Sequence, residues 1–409
     1  MHTLTSLLKA LALMIMVCAP LRSWAQGLAT EPPTAPSTAP AAPAVPSVPA
    51  APSAPSAPAP AKTIEPTAPA ALTTTTGDKW YERVKYSAFV DGYSSINVLD
   101  IEALENGYPR AFDSHNGFAL SWVGVDLSYE PGGVFGPVGA TISLRAGPTA
   151  TALAGADAAL NLAPLSQAYV TLQAFEGLSV DFGKFNTLYG AEVAESWLNH
   201  NYTRGALYTL LQPAFHTGLR VNWAATDTLF VKFLAVNGYT TKDNNAMKTF
   251  GLQVGYAGGP WSVSLGYLLG PEQDNNNKDL KHLIDLIVGF NPSERLSLTL
   301  NADFVMEEVG DTTQKSFGVL ASGRLQFTDI WGVGLRGEFI GDADGYVSGI
   351  ADQNLVTGTL TIMASLGKYA LLSLDTRLDY MTEGAFIHTD GGDSKMQLTS
   401  TLGVVFKTE

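Results

Sequence analysis

Cysteine is nearly absent from this 409-residue sequence. The single residue, Cys18, lies in an apolar N-terminal stretch that is typical of a secretory signal, so the mature chain is predicted to carry no thiol. Without thiols, the chain forms no disulfide, uses no cysteine nucleophile and binds no metal through thiolates. The rival interpretation, a lipoprotein cut before Cys18, needs a small preceding residue where the sequence has Val17.

Charged residues and long apolar runs are also scarce. Only 15% of the residues are charged, and the net charge of −14 argues against nucleic acid as a partner. Outside the N-terminus, no apolar run approaches the ~20 residues that a membrane-spanning helix needs.

Histidine is rare as well, with six residues, none in a metal-ligand spacing. Glu192, Glu195 and His200 lie in one loop and could approach one another, but a Glu-x-x-Glu pattern with a distant histidine is a weak catalytic signal. His282 on a lipid-facing position has no Gly-x-Ser-x-Gly motif to support a hydrolase. We expect no enzyme, no cofactor and no metal site.

The first 78 residues are predicted to lie outside the folded domain. Residues 1–25 fit a signal peptide, with an apolar core over Ala10–Ala19 and a small-x-small cleavage site ending at Ala25. Residues 26–78 are rich in Ala, Pro, Ser and Thr, with too little apolar area to fold, and favour extended polyproline conformations. They form either a semi-rigid periplasmic spacer or a contact to the cell wall or a periplasmic partner.

Residues 79–409 show a period of two that persists to Phe406. Val138, Ala140, Ile142 and Leu144, for example, alternate with polar or small residues. Such alternation predicts strands with one apolar and one polar face.

The predicted strands are joined alternately by short turns and long loops. We place the long loops at 98–115, 148–165, 186–212, 239–247, 270–278, 307–314, 341–353 and 382–394. The short turns fall at 131–133, 176–177, 225–227, 258–260, 291–293, 328–329 and 367–368. This pattern, with aromatic residues clustered at both strand ends, predicts an all-β fold, a transmembrane antiparallel barrel of about 16 strands with both termini in the periplasm.

Two strands depart from simple alternation. Residues 86–97 carry aromatic side chains on both faces. The strand near 229–237 points Phe230, Leu234 and Val236 inward, where water would be expected. An apolar cover is therefore required, because exposing each of these side chains forgoes roughly 1.5–3 kcal/mol relative to burial.

The long loop that precedes this strand is the natural cover. We predict that Phe185 to Gln212 folds at least partly into the lumen, with Trp197, Leu198, Leu207 and Tyr208 as the apolar cover. The polar residues of this constriction loop would line the narrowest point; they are Lys184, Glu192, Glu195, Asn199, Asn201 and Arg204. Lys184 has the outward parity, so it should either snorkel at the rim or be turned inward by a bulge. The alternative is a surface loop folded on itself.

Around this loop the sequence contains a connected set of motifs: QAYVTL at Gln167–Leu172, GKF at Gly183–Phe185, Gly190-x-Glu192, Asn-x-Asn-Tyr-Thr-Arg at 199–204 and Pro-x-x-His-Thr-Gly at 213–218. In these motifs the sequence resembles the OmpL-like putative β-barrel porin family. This resemblance implies a bacterial outer-membrane channel and leaves the solute open. One departure is that Lys407, Thr408 and Glu409 follow the last aromatic residue, whereas many such barrels end on it.

The lumen is predicted to carry basic and acidic residues in equal number. The basic ones are Arg145, Arg220, Lys232, Lys281, Arg324, Arg336 and Arg377, and the acidic ones are Asp126, Asp181, Asp285, Asp303, Glu338, Asp375 and Asp379. They either solvate a wet lumen and pair with one another, or face each other across a selectivity point.

The predicted loops hold essentially all of the net negative charge. Acidic mouths raise the local cation concentration, although such a surface could equally bind divalent ions of the outer leaflet. We expect a porin-like channel for passive diffusion of ions or small hydrophilic solutes, mildly cation-preferring, in contact with outer-membrane lipid and able to form a homo-oligomer. The alternative is a non-conducting barrel that serves as an adhesin or structural anchor through its acidic loops.

Overall fold

The computed structural model describes residues 79–132, 135–154, 157, 162–213, 215–240, 243–384 and 386–408. The predicted signal peptide and Pro-rich linker lie outside these residues. In the described part of the chain, no helix is both long and apolar enough to cross a membrane.

The folded domain is a closed barrel of sixteen antiparallel strands in which every strand pairs with its neighbours in sequence and β1 pairs with β16. The strands are β1 Val84–Asn97, β2 Gly117–Tyr129, β3 Val138–Ala146, β4 Leu165–Phe175, β5 Leu178–Asn186, β6 Phe215–Ala224, β7 Leu229–Val236, β8 Thr249–Gly258, β9 Trp261–Pro271, β10 Leu280–Ser293, β11 Leu296–Val309, β12 Thr312–Gln326, β13 Trp331–Asp342, β14 Gln353–Leu366, β15 Ala370–Met381 and β16 Met396–Lys407. The predicted strand count and topology are confirmed.

Short helices, 3-10 turns and one small hairpin lie outside the barrel strands. Helix α1 spans Pro148–Ala154 between β3 and β4, and helix α2 spans Ala206–Leu210 between β5 and β6. Single 3-10 turns cover Trp80–Arg83 and Ser196–Leu198. A two-residue hairpin pairs Phe386–Ile387 with Asp393–Ser394 between β15 and β16.

The alternation read from the sequence separates the two faces of the wall. Along β8, buried and exposed residues alternate without a break. The exposed members, such as Leu252 and Val254, are apolar, whereas the inward Gln253 is buried. An outward apolar surface is what the hydrocarbon of a bilayer requires.

Aromatic side chains form the two predicted bands on the outer face. Trp223, Trp261 and Phe406 are exposed near the short-turn end, and Phe317 and Phe339 near the long-loop end. Neighbouring rings also pack across strands, since the Trp261 and Phe290 centroids lie 4.3 Å apart and those of Phe317 and Phe339 lie 5.7 Å apart.

The bounds predicted for the connections at 307–314 and 291–293 are wrong. The long loop expected at 307–314 is a tight turn at Gly310 and Asp311, because β11 and β12 continue as a ladder that ends with Val309 opposite Thr312. Gly310 supplies the positive φ of +60° that such a turn needs. At the other end, β10 continues to Ser293 through a register irregularity that accommodates Pro292, and the turn lies beyond it.

The extra C-terminal residues continue the last strand. Lys407 pairs with Phe89 of β1, and Thr408 exchanges hydrogen bonds with the backbone of Ala88 at 2.8 Å. Lys407 and Thr408, which follow the last aromatic residue, therefore extend the seam that closes the barrel.

Candidate functional site: the segment between β5 and β6

The connection between β5 and β6 is the best candidate for the functional site. We call its described residues, 187–213, the β5–β6 segment. None of them is exposed, although a connection of this length between two strands would ordinarily lie in solvent. The segment therefore gains its burial from contacts with other parts of the molecule.

Side-chain hydrogen bonds give the segment its own fold. The Asn199 amide donates to the Val193 carbonyl at 2.7 Å and accepts from the Val193 N–H at 2.8 Å, which bends the chain back on itself. Glu192 accepts a hydrogen bond from the Gly205 N–H at 2.7 Å, just before α2. Gly190, at φ +90°, lies against Gln212, where an added Cβ would be 2.1 Å from Oε1.

One side of the segment is bonded to β1 and β15. Asp91 accepts hydrogen bonds from Ser196 Oγ at 2.7 Å and from Tyr202 Oη at 2.6 Å. Asp375 accepts from the N–H of Tyr202 at 3.3 Å and from both the N–H and the hydroxyl of Thr203 at 2.8 Å. These carboxylates satisfy donors that would otherwise be buried without a partner.

A second set of bonds joins the segment to β13. Arg336 pairs with Glu192 at 2.7 Å and with Glu338 at 3.2 Å, and it also donates to the Thr203 carbonyl. Glu338 in turn accepts from the Leu207 N–H, the second residue of α2, at 2.9 Å. A buried guanidinium with two carboxylates fixes the segment more specifically than a surface ion pair would.

The tip of the segment reaches the short-turn end of the barrel. The His200 ring contacts Ser322 Oγ and Ser297 Oγ, each at 2.9 Å, and Ser297 is the second residue of β11. The His200 carbonyl lies against Gly334, where an added Cβ would be 2.1 Å from the oxygen. The segment therefore contacts wall residues near the short-turn ends of β11, β12 and β13.

The connection between β1 and β2 adds a charged cluster that the sequence interpretation missed. Arg110 pairs with Asp113 at 3.1 Å and with Asp379 at 3.0 Å, and all three side chains are buried. Phe112 packs under Arg204 of the segment, with the guanidinium carbon 3.9 Å from the ring centroid. The available signal was the i,i+3 pair of opposite charges flanking an aromatic residue in an otherwise acidic loop.

The charges around Asp113 outweigh its burial. Burial raises the pKa of this carboxyl, whereas Arg110, Arg377 and Arg204 lower it, and the net pKa is below the ordinary value. Asp113 is therefore a carboxylate at neutral pH and balances the surrounding guanidinium groups.

Apolar contacts complete the long-loop half of the interior. Leu188, Leu207 and Leu211 of the segment cluster with Leu234 and Val236 of β7. Wall residues of β9 to β15 join the same cluster: Leu268, Leu283, Val305, Leu320, Ile340, Leu355 and Met381. The inward burial expected for Phe230, Leu234 and Val236 is confirmed.

For three of the four residues expected to cover the inward side chains of β7, the predicted contact is wrong. Leu207 packs in the cluster that contains Leu234, but Trp197, Leu198 and Tyr208 pack in a separate cluster with Phe89 of β1. The Trp197 and Phe89 ring centroids lie 4.6 Å apart. This contact explains the aromatic residues on both faces of β1.

Most of the predicted lumen charges pair with a neighbour on the wall. Arg145 pairs with Asp126 at 2.9 Å and also reaches Glu195 of the segment at 3.1 Å. The remaining wall pairs are Arg220 with Asp181 at 2.8 Å, Arg336 with Glu338 at 3.2 Å and Arg377 with Asp379 at 2.7 Å. Pairing along the wall is one of the two interpretations that the sequence left open, and it is observed for these groups.

Six predicted lumen residues have no salt-bridge partner within the described residues: Lys232, Lys281, Arg324, Asp285, Asp303 and Asp375. Asp285 and Asp303 face each other in the β10–β11 register and are both buried. Asn301 donates to both carboxylates, at 2.8 and 3.1 Å, and Gln212 of the segment donates to Asp303 at 2.9 Å.

The remaining constriction-loop residues lie as follows. Lys184 is buried and does not snorkel at the rim, because its ammonium pairs with Asp157 at 2.5 Å and donates to the Leu165 carbonyl at 2.8 Å. Asn201 donates to Thr361 Oγ1 of β14 at 2.6 Å. Arg204 donates to the Tyr202 carbonyl at 2.6 Å.

The groups considered for catalysis are held apart by separate partners. Glu192 pairs with Arg336, Glu195 with Arg145, and His200 bonds to two serines. His282 bonds to the Tyr267 hydroxyl at 2.7 Å. Over the residues with described positions, no three His, Cys, Asp or Glu side chains come together as a metal site.

Family membership follows from the sequence of the barrel. The model of the family described as putative beta-barrel porin-2, OmpL-like, matches residues 83–407. The chain belongs to this family. The match spans the barrel from the start of β1 to the end of β16, so the porin-like outer-membrane barrel is established. No curated protein matches the sequence.

Solved porins share the fold at low sequence identity. The anion-selective porin from Comamonas acidovorans aligns with a TM-score of 0.54 at 13% identity, covering 80% of this chain and 99% of that one. The outer-membrane channel DcaP of Acinetobacter baumannii aligns with 0.54 at 13%, covering 83% and 100%. OmpT of Vibrio cholerae in its trimer form aligns with 0.52 at 13%, covering 80% and 99%. At this identity the likeness concerns the fold alone.

Proposed function

We propose that this protein is an outer-membrane channel whose lumen is occupied by the β5–β6 segment, so that solutes pass only when the segment is displaced. The supporting observation is burial. Wall charges such as Arg377, Asp379 and Asp285 are at most 1% exposed, whereas the wall of a water-filled pore would be accessible to water. Bonds from the segment to strands on several sides of the barrel account for that burial.

Conductance tests the proposal directly. The purified protein in planar bilayers should show a small or intermittent conductance, and a variant in which 187–213 is replaced by a short Gly/Ser turn should show a large, steady one. Circular dichroism and heat-dependent electrophoretic mobility serve as the folding control. Equal conductance in a folded, inserted variant would place the constriction elsewhere.

For the open state we propose a mild preference for cations. The support is the acidic character of the long loops, which concentrates cations at the outer mouth. Because exposed charges are screened over ~10 Å at 0.1 M salt, the preference should fall as salt rises. Reversal potentials of the segment-replaced variant in salt gradients measure it, and a potential toward anions would contradict it.

A non-conducting barrel is the second candidate, and the same filled interior favours it. In that case the acidic loops act as an adhesin or structural anchor, and the segment is a permanent core. Bilayer recordings of the wild type distinguish the two functions. An anchor never opens under any voltage or ligand, whereas a channel shows discrete openings.

We also propose the remaining associations. The outward apolar face contacts outer-membrane lipid, both termini lie in the periplasm, and residues 26–78 extend there toward the cell wall or a periplasmic partner. A homo-oligomer is proposed because OmpT of Vibrio cholerae, which shares the fold, is described in a trimer form. Chemical cross-linking in native membranes distinguishes monomer from oligomer.

A further inference from the structure

A cavity at the short-turn end of the barrel is lined by hydrogen-bond donors. It has a volume of about 120 Å³ and lies between the tip of the β5–β6 segment, the β14–β15 turn and the end of β16. Its polar lining consists of Arg324, Lys368, Lys407, Ser365 and Trp197, and apolar residues such as Leu371 and Val405 complete it; the lining includes no carboxylate. This cavity is not part of the ion-pair network described above.

Its position is inside the barrel mouth and not on the lipid face. Val405, which lines it, is 1% exposed and packs with Tyr202 of the segment. Ser365 and Lys407 share the parity of buried lumen residues on their strands, such as Thr361 and Thr401. A ligand would therefore reach the cavity from the aqueous compartment at this end.

Two of the cations at the cavity lack a carboxylate partner. Within the described residues, Arg324 makes a single side-chain hydrogen bond, to the neutral Gln326 at 3.3 Å, and Lys407 forms no ion pair. An acidic residue on the neighbouring turn, Asp329, pairs with Arg295 instead, at 3.5 Å. Arg324 and Lys407 therefore bring positive charge to the cavity that no carboxylate within the described part of the chain pairs with.

We propose that this cavity binds a small, water-soluble oxyanion of the phosphate class. A guanidinium offers two parallel donors, and an ammonium adds a third with a full charge. The Ser365 hydroxyl and the Trp197 indole N–H supply further donors. A cavity of this size has room for a tetrahedral anion and several waters. Binding at this site does not depend on whether the barrel conducts.

The test is calorimetric titration of the full chain in detergent micelles with inorganic phosphate, with sodium chloride used to hold ionic strength constant. Saturable binding is expected for the wild type. Arg324→Gln and Lys407→Gln should each weaken it roughly tenfold, because each removes a charge-assisted hydrogen bond. Lys85→Gln is the matched control, since Lys85 is at the same end but exposed and paired with Glu130.

The outcomes separate the site from a general charge effect. Absence of saturable binding in the wild type overturns the proposal, as does unchanged affinity in both cavity variants. If Lys85→Gln weakened phosphate binding equally, the effect would come from the overall charge of the rim, and the proposal would also be overturned. Should Arg324→Gln fail to fold, phosphate-dependent fluorescence that is present in the wild type and lost in Trp197→Phe provides the second readout, and its absence counts against the site.

Discussion

Asp375 is the side chain whose removal should most directly loosen the β5–β6 segment. This buried carboxylate on β15 holds two consecutive backbone N–H groups of the segment and the Thr203 hydroxyl. In Asp375→Ala, these donors lose their acceptor in a part of the barrel where water does not reach them.

The magnitude follows from the two backbone groups alone. A buried donor left without a partner costs about 1–3 kcal/mol, so the docked state should lose about 2–6 kcal/mol relative to the undocked one. Even the lower bound raises the undocked population roughly thirtyfold. The segment should then open more often while the barrel ladder, which does not use this side chain, stays intact.

Two assays report on the opening. Limited proteolysis should cut the variant within 187–213 at a rate at least about tenfold above that of the wild type, and bilayer recordings should show more frequent openings. Asp243→Ala is the control, because Asp243 forms only an exposed pair with Lys248. If Asp375→Ala is folded yet resists proteolysis as the wild type does, these hydrogen bonds do not hold the segment.

Further predictions concern single residues at the wall and in the segment. Gly334→Ala should displace the tip, since its Cβ would meet the His200 carbonyl, whereas Gly337→Ala has open space and should leave proteolysis unchanged; equal rates would refute the contact. Leu207→Ala should lower the free energy of unfolding by about 2–5 kcal/mol through cavity formation, as measured by urea denaturation. Leu104→Ala, at an exposed loop position, should change it little, and a similar loss in both would contradict the assigned packing.

The barrel could be predicted from the sequence because the residues of each strand alternate between those suited to lipid and those suited to the barrel interior. Alternation of period two is a local pattern. It predicts that Val254 faces lipid and Gln253 faces inward without any knowledge of the neighbouring strands. The strand count followed from the same signal. The loop boundary was wrong near Gly310, because acidic residues such as Glu307 and Glu308 occupy ladder positions of β11 there.

The partners of the interior segment could not be predicted in the same way. Thr203 meets Asp375 across 172 positions of sequence, and no periodic pattern encodes such a pairing. The apolar inward residues showed that some cover was needed, but not which wall each cover residue would choose. Trp197 was therefore assigned to β7, although the aromatic residues on β1 marked its actual contact.

The order of elements along the chain has a consequence for biogenesis. The β5–β6 segment precedes β11, β13 and β15, which supply many of its hydrogen-bond partners. The leucines and buried polar groups of the segment therefore have no surface to bind until those later strands are in place. These groups are exposed before the seam between β1 and β16 closes, so this barrel should depend more on periplasmic chaperones than one with short loops.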